Sequence, residues 1–534
     1  MFLALALGQN QAAAASGDNA ANKVLQQNQT RFEEFNQETE HKQKGPVVVT
    51  SPVKRNALPA PGGPTVLLKS VTFEPPSAFL SARELNAIKS RYVGKRVDFS
   101  KISALVRDVN DLYAKKGIVT ASAILPPQKL TSGNLKVQLV EGKVGKVSIV
   151  GKHRTSDKYI LERVRLAKGD VVDVPLAAKD ITYFNKTSQA QLRLLLQPGA
   201  TFGLTDLALG VTEPPADQLY FFVDNEGVDS TGKGELGAYY RKYGLLGIDD
   251  NLTLYGVGSP GSISGTINYD FPISLWGTRL ALGYTRSGIS VVDGPQKPLD
   301  VTGVSQAATA SILQPVFVTK DWDATAIGSV AYTTSTSDAG DVSLVDSDTG
   351  KGALGLALSY QGSAARINFQ PQLIYARTHD RLGGSYQDIV LGAGTVNASY
   401  QFNSDYMVDF VGAWQVTGTR LLPGDLLFQV GGPNSVRGYP NDAVAGDSGY
   451  FGQFELHRKI PNVLHGLDLY AFSDVGEVFS TFPEHTLLVS AGAGVSVELQ
   501  KGLDLNVSVG FPLRKSVSNQ GDASIYARLT VQAF

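Results

Sequence analysis

Two short segments of this sequence set a fixed cation and a carboxylate among glycines. In Gly431-Gly432-Pro433-Asn434-Ser435-Val436-Arg437-Gly438-Tyr439 the glycines permit sharp turns, and Arg437 offers five donors in a rigid fork suited to a fixed carboxylate. Downstream, Leu467 to Phe479 alternates as a strand, with Leu467, Leu469 and Ala471 on one face and Asp468, Tyr470, Phe472 and Asp474 on the other. If the first segment folds onto that strand, Arg437 and Asp474 form a charge-assisted pair, and Gly476 leaves room for close approach. The same residues also fit a glycine-rich surface turn and an unrelated strand end, and composition leaves both readings open.

Other chemistry has less to stand on. The chain has no cysteine, which excludes disulfides, thiol nucleophiles and thiolate metal sites. Its histidines, His41, His153, His379, His457, His465 and His485, show no metal-ligand spacing, and no Gly-x-Ser-x-Gly elbow is present. Gly350-Lys351-Gly352 lacks the upstream glycine, being Val345 there, and the hydroxyl after the lysine, so it is not a phosphate loop. No enzymatic activity, metal or cofactor is expected. With 48 basic and 49 acidic residues the net charge is -1, which gives no electrostatic case for a nucleic-acid partner.

The elements that would position Arg437 follow from length and periodicity. At 534 residues the chain needs several folding units, and it contains no apolar run of roughly 18 residues, so any membrane crossing falls to a closed barrel. Residues 1–17, ending in an alanine-rich stretch, read as the remnant of a secretory signal. Residues 18–44 read as a thinly amphipathic N-terminal helix with apolar positions at Val24, Leu25, Phe32 and Phe35, and the prolines of 45–64 mark a linker. Residues 65–142 read as a compact α+β module: a strand at Val66 to Phe73, a helix from Ser81 with Glu84 completing a capping box, a helix from Ser100 to Lys116, and strands at Val119 to Leu125 and Leu135 to Glu141. Residues 143–215 repeat that order.

From 216 to 534 the texture changes to segments of about ten residues with period-2 hydrophobicity, separated by Gly, Asp, Asn and Ser turns. Ile525, Ala527, Leu529 and Val531, for instance, oppose Tyr526, Arg528, Thr530 and Gln532, and Tyr406, Val408, Phe410, Trp414 and Val416 oppose Asp405, Asp409, Gln415 and Thr417. At roughly 20 residues per strand and connection, this length holds about 16 antiparallel strands. The fold class is therefore tandem α+β modules followed by a transmembrane antiparallel β-barrel.

Val436-Arg437-Gly438-Tyr439 together with Phe472-Ser473-Asp474-Val475-Gly476 resemble the paired V-R-G-Y and F-x-D-x-G motifs of the outer-membrane polypeptide transporters and insertases. Two modules similar to POTRA domains, an N-terminal helix and a proline-rich linker narrow the resemblance to the TpsB transporters of two-partner secretion. Asp224-Asn225-Glu226-Gly227 and Thr231-Gly232 also resemble the opening strand region of that family. The resemblance implies a 16-strand barrel, monomeric and set in outer-membrane lipid, with the POTRA modules in the periplasm. It also implies that the loop bearing Arg437 turns back into the lumen and that the N-terminal helix occupies the pore at rest. The partner would be a secreted TpsA-type exoprotein, an adhesin, cytolysin or toxin, caught unfolded by the modules. An assembly factor for other membrane proteins and a passive porin are the alternatives; the first generally carries more POTRA modules, and the second has no use for them.

Overall fold

The computed structural model describes residues 24, 25, 27–29, 31–33, 48, 49, 59–441, 443–461, 463, 466–479, 485–517 and 520–534. The expected signal remnant, most of the linker and residues 18–23, 26, 30 and 34–44 of the expected helix lie outside these. The chain divides into two compact units, Lys42–Glu213 and Met1–His41 with Pro214–Phe534.

Within Lys42–Glu213, the first module is a three-stranded sheet carrying two helices. Ser70–Glu74 pairs in parallel with Asn134–Glu141, and Ala121–Ile124 flanks the latter antiparallel. The first helix, Ala82–Lys89, begins at the expected capping box: Ser81 accepts from the Glu84 backbone and Glu84 reaches back to Ser81. Asp98 caps the second, Phe99–Lys115, and Gly117, at φ 77°, stops it. The alternation of Leu135, Val137 and Leu139 turns all three against Leu105, Val109 and Tyr113. The expected single strand from Val66 to Phe73 is two strands, because the chain changes partners: Val66–Leu67 pairs with Arg96–Val97, Leu68 donates to the Lys95 carbonyl, and Lys69 turns to Gly133.

The Lys116 ammonium, 2.9 Å away, and the Ser81 cap hold the Glu84 carboxyl down to about 2 from an ordinary 4.5. A carboxylate depressed on folding stabilises above its unfolded value, and that contribution is lost as pH falls towards 2. Glu84→Gln should therefore flatten the loss of stability between pH 4.5 and 2, measured as urea midpoints across that range.

The second module repeats the topology. Lys143–Val150 pairs in parallel with Leu204–Thr212, Gln191–Pro198 lies antiparallel beside it, and helices Asp157–Leu161 and Val174–Thr187 start at Ser156 and Asp173 caps. Part of the segment expected to be a plain linker is a strand here: Val48–Val49 joins the sheet edge in parallel with Leu194 and Leu195. It lies in a β-branched run free of proline, the one stretch of that segment suited to a ladder.

In the other unit, 16 strands close into an antiparallel barrel. The first, Asp217–Asp224, closes on the last, Ser524–Gln532, through five registered pairs from Tyr220↔Gln532 to Asp224↔Arg528. Strand length is uneven: Asp217–Asp224 has 8 residues and Val342–Gln361 has 20. The outer face is apolar and rimmed by rings. Trp276, Trp322, Tyr400, Phe402 and Tyr406 are exposed around the end from which the first strand starts. Tyr332 stands ten residues along the strand from Trp322, about 33 Å of strand and about 25 Å of height at the usual tilt. An apolar band of that height between aromatic rings suits the hydrocarbon layer of a bilayer.

Candidate functional site

The long connection between strands Tyr406–Thr417 and Ser448–Lys459 does not stay outside the barrel. Its base is fixed by Asp447, fully buried, which accepts from the backbone of Leu421 and Leu422. Leu422 and Leu426 pack on Ala376, Ile389 and Leu391 of the wall, and Lys351 reaches Asp425 at 3.2 Å. Lys351, discarded above as a phosphate-loop residue, is thus a wall residue holding the loop. A short hairpin, Phe428–Val430 with Val444–Gly446, then carries residues 431–441 inward, and Gly431 and Gly432, at φ 128° and 85°, make the turn.

At the tip, the structure brings together every residue singled out by sequence. Arg437 grips Asp474 through two parallel hydrogen bonds, Nε to Oδ2 at 2.8 Å and Nη2 to Oδ1 at 2.7 Å, and its backbone N–H donates to the same carboxylate at 3.0 Å. Its Nη1 donates to Glu455, and its guanidinium carbon stands 3.5 Å from the centre of the Phe472 ring. Asp474 is fully buried, so its charge depends on this fork. Val436 is buried with Val430, Val478 and Leu488. Gly476 lies under that cluster: a Cβ there would sit 2.6 Å from Val430 and 2.9 Å from Val436. Tyr439 donates to the Arg514 carbonyl at 2.8 Å, and Gly438 donates to the Tyr526 hydroxyl at 3.0 Å.

Gly438 adopts φ 92°, and an added Cβ would lie 3.0 Å from the backbone of Gly510 and Pro512. Gly438→Ala should unseat the loop at a cost of about 1–3 kcal/mol, seen as faster protease cleavage between 431 and 441 while the barrel itself still unfolds only on heating in detergent.

Sequence reasoning missed Glu455, Gly510 and Tyr526 as members of the site. Gly510 and Tyr526 belong to strands whose alternation was legible, and they meet the loop only because the last strands curve round beside it. The signal was there in part: Tyr526 sits on the polar face of its strand.

A second cluster forms where the described residues between 24 and 33 run as helix inside the barrel. Arg31, fully buried, pairs with Glu235 and lies 3.5 Å from Glu226 and 3.7 Å from Asp224. Arg528 of the last strand binds Asp224 at 3.3 Å and Glu226 at 2.5 Å. Gln27 donates to the Glu226 carbonyl, and Phe32 stands 6.5 Å and 6.4 Å from Tyr239 and Tyr255. The thin apolar stripe marked Val24, which packs on Val228, Ile289 and Val291, and Phe32, which packs on Tyr239 and Tyr255, but gave no sign of the buried cation beside them. Asp224 and Glu226 do come from the opening-strand region noted in the sequence.

A family model described as haemolysin secretion/activation protein ShlB/FhaC/HecB matches residues 203–499, and one described as POTRA domain, ShlB-type, matches residues 66–142. The heme/hemopexin transporter protein HuxB of Haemophilus influenzae is 24% identical over 476 residues, covering 82% of this chain and 81% of its own. The outer membrane transporter CdiB of Dickeya dadantii is 22% identical over 517 residues, covering 92% and 90%. Among solved structures, CdiB from Escherichia coli superposes with a TM-score of 0.66 at 17% identity over 98% of both chains, and CdiB from Acinetobacter baumannii with 0.65 at 18% identity over 96% and 99%. These structures share the fold.

Proposed function

This chain belongs to the haemolysin secretion/activation protein family, ShlB/FhaC/HecB, and on that premise we propose that it is an outer-membrane transporter of two-partner secretion. Its α+β modules stand in the periplasm and capture an unfolded exoprotein, an adhesin, cytolysin or toxin, along a sheet edge. The barrel then passes the polypeptide through its lumen to the cell surface, working as a monomer without cofactor or catalysis, and folding of the exoprotein outside supplies the direction.

The observation that carries this reading is how the lumen is filled. Two separate segments occupy it, the loop bearing Arg437 and the helix bearing Arg31, and each is fastened through one arginine to acidic groups. A barrel closed by wall side chains could not open without refolding, whereas a segment fastened by polar groups can leave as a unit, its released hydrogen-bonding groups being taken up by water or by a passing chain. In mechanism, the helix leaves, the lumen widens, and the seated loop keeps a fixed polar surface beside the route. Gln429, Asn434 and Gln453 offer hydrogen bonds along a cavity also lined by Gln27 of the helix; these can serve an extended backbone without selecting a sequence.

The test is co-expression with a large secreted exoprotein of the same host in cells that lack their own transporter. The exoprotein should reach the surface only with this chain, and deletion of residues 66–142 should leave it in the periplasm while the barrel remains heat-modifiable on gels. Surface delivery without the chain, or undiminished by the deletion, would contradict the proposal.

A further inference from the structure

Beyond the paired arginine and aspartate, the lumen holds a histidine placed where its protonation matters. His457 lies on strand Ser448–Lys459, two residues from Glu455, near the barrel end where the first strand starts. Its Nδ1 stands 3.0 Å from Asp468, its Nε2 stands 2.9 Å from Glu455, and Asp409 lies 3.5 Å away. The ring stacks on Tyr470 at 5.2 Å and 25°.

A neutral imidazole has one N–H and one lone pair, and an ionised carboxylate only accepts. Two ring nitrogens each at hydrogen-bond distance from a carboxylate therefore require a second proton, and the ring is where the surrounding charge places it. Facing it are Glu455 and Lys459 from its own strand, Asp409 from Tyr406–Thr417, and Asp468 and Tyr470 from Asp468–Phe479. From the loop comes Arg437; Asp504, Glu226 and Arg528 line the same cavity of about 650 Å³. Asp409, Glu455 and Asp468 come from three adjacent strands, and the near cations are Arg437 and Lys459.

Glu455 joins this cluster to the loop. One of its oxygens accepts from Arg437 and the other from His457. We propose that His457 is a positioning residue for the loop: as an imidazolium it pins Glu455 in the place where Arg437 binds it, so that loss of its proton loosens the loop from the wall. The imidazolium offsets part of the repulsion among the three carboxylates, and the neutral ring leaves one of them facing a lone pair. The consequence for transport rests on the secretion reading above; the seating of the loop does not.

The test therefore reads the loop directly. The chain has no cysteine, so Asn434→Cys gives a single attachment point for a nitroxide at the loop tip. Its mobility is followed by electron paramagnetic resonance on the full-length protein in lipid vesicles from roughly pH 5 to 9, the range that spans imidazole titration. The label in the otherwise unaltered chain should be immobile at the acid end and pass through one reversible transition to a mobile state. His457→Gln should be mobile throughout, and His457→Arg, which keeps the charge, immobile throughout. Absence of a transition in the unaltered chain, or the same transition in His457→Gln, overturns the proposal. If His457→Gln does not fold by heat-modifiability, the unaltered chain and His457→Arg decide alone. Because this experiment does not read secretion, failure of the transport reading shows separately, as surface delivery of the exoprotein in cells without this chain while the titration of the loop stays intact.

Discussion

Arg437→Ala is expected to reduce secretion of the exoprotein at least about tenfold while leaving a folded, heat-modifiable barrel. The substitution strands Asp474, which is fully buried and receives three hydrogen bonds from Arg437. Removing one partner of a buried ion pair costs about 3–5 kcal/mol, and every 1.4 kcal/mol is about a factor of ten in an equilibrium. The loop should therefore lose its seat, whereas the wall strands keep their ladders. Arg437→Lys should rescue little, because an ammonium cannot span both Asp474 oxygens and stack on Phe472 at once. The double variant Arg437→Ala with Asp474→Ala should be less damaged in loop protection than the sum of the single changes, since no unpaired charge then remains. Secretion at the unaltered rate from a barrel whose loop has become protease-sensitive would show that the seated loop is not needed for transport.

Arg31→Ala should open the pore. Among the described residues Arg31 is the cation that pairs with Glu235, in a contact buried on both sides, whereas Asp224 and Glu226 retain Arg528. Truncation leaves Glu235 without its cation and removes the main polar hold on the helix, again on the order of 3 kcal/mol. That corresponds to roughly a hundredfold shift from plugged to open. In planar bilayers the variant should show long, wide openings where the unaltered protein is mostly closed. Arg31→Lys should lie between the two, and unchanged conductance would mean that the helix does not close the channel.

Much of this architecture could be read from residue types alone, for reasons that differ by element. Period-2 alternation such as Ile525 to Val531 against Tyr526 to Gln532 reports a wall with one apolar and one polar side, so the 16-strand barrel was legible. The capping box at Ser81 and Glu84 and the helical spacing of Ile102, Leu105 and Val109 marked the first module equally well. Arg437 and Asp474 stood out because glycines flank one and alternation orients the other. The rest depended on closure in three dimensions. Glu455 and His457 are ordinary polar positions of an alternating strand until the loop arrives beside them. Arg31 lies on a helix whose apolar stripe is too thin to say what it binds. Val48–Val49 is two residues long, below what any periodicity can register, and the break between Val66–Leu67 and Ser70–Glu74 arises from a change of partner invisible in the local sequence.

Two-partner secretion by this chain requires that a polypeptide move through the lumen. The direct measurement places a photo-crosslinking amino acid at Asn434, which lines the interior, and in parallel at Trp276, exposed in the turn between strands Ser262–Pro272 and Arg279–Ser290. The exoprotein is arrested in transit by a C-terminal domain that folds before export. Crosslinks to the arrested chain from position 434 and none from position 276 are the expected result. Crosslinks from position 276 alone, or none from the interior while export proceeds, would contradict transport through the barrel and return the chain to the assembly-factor reading.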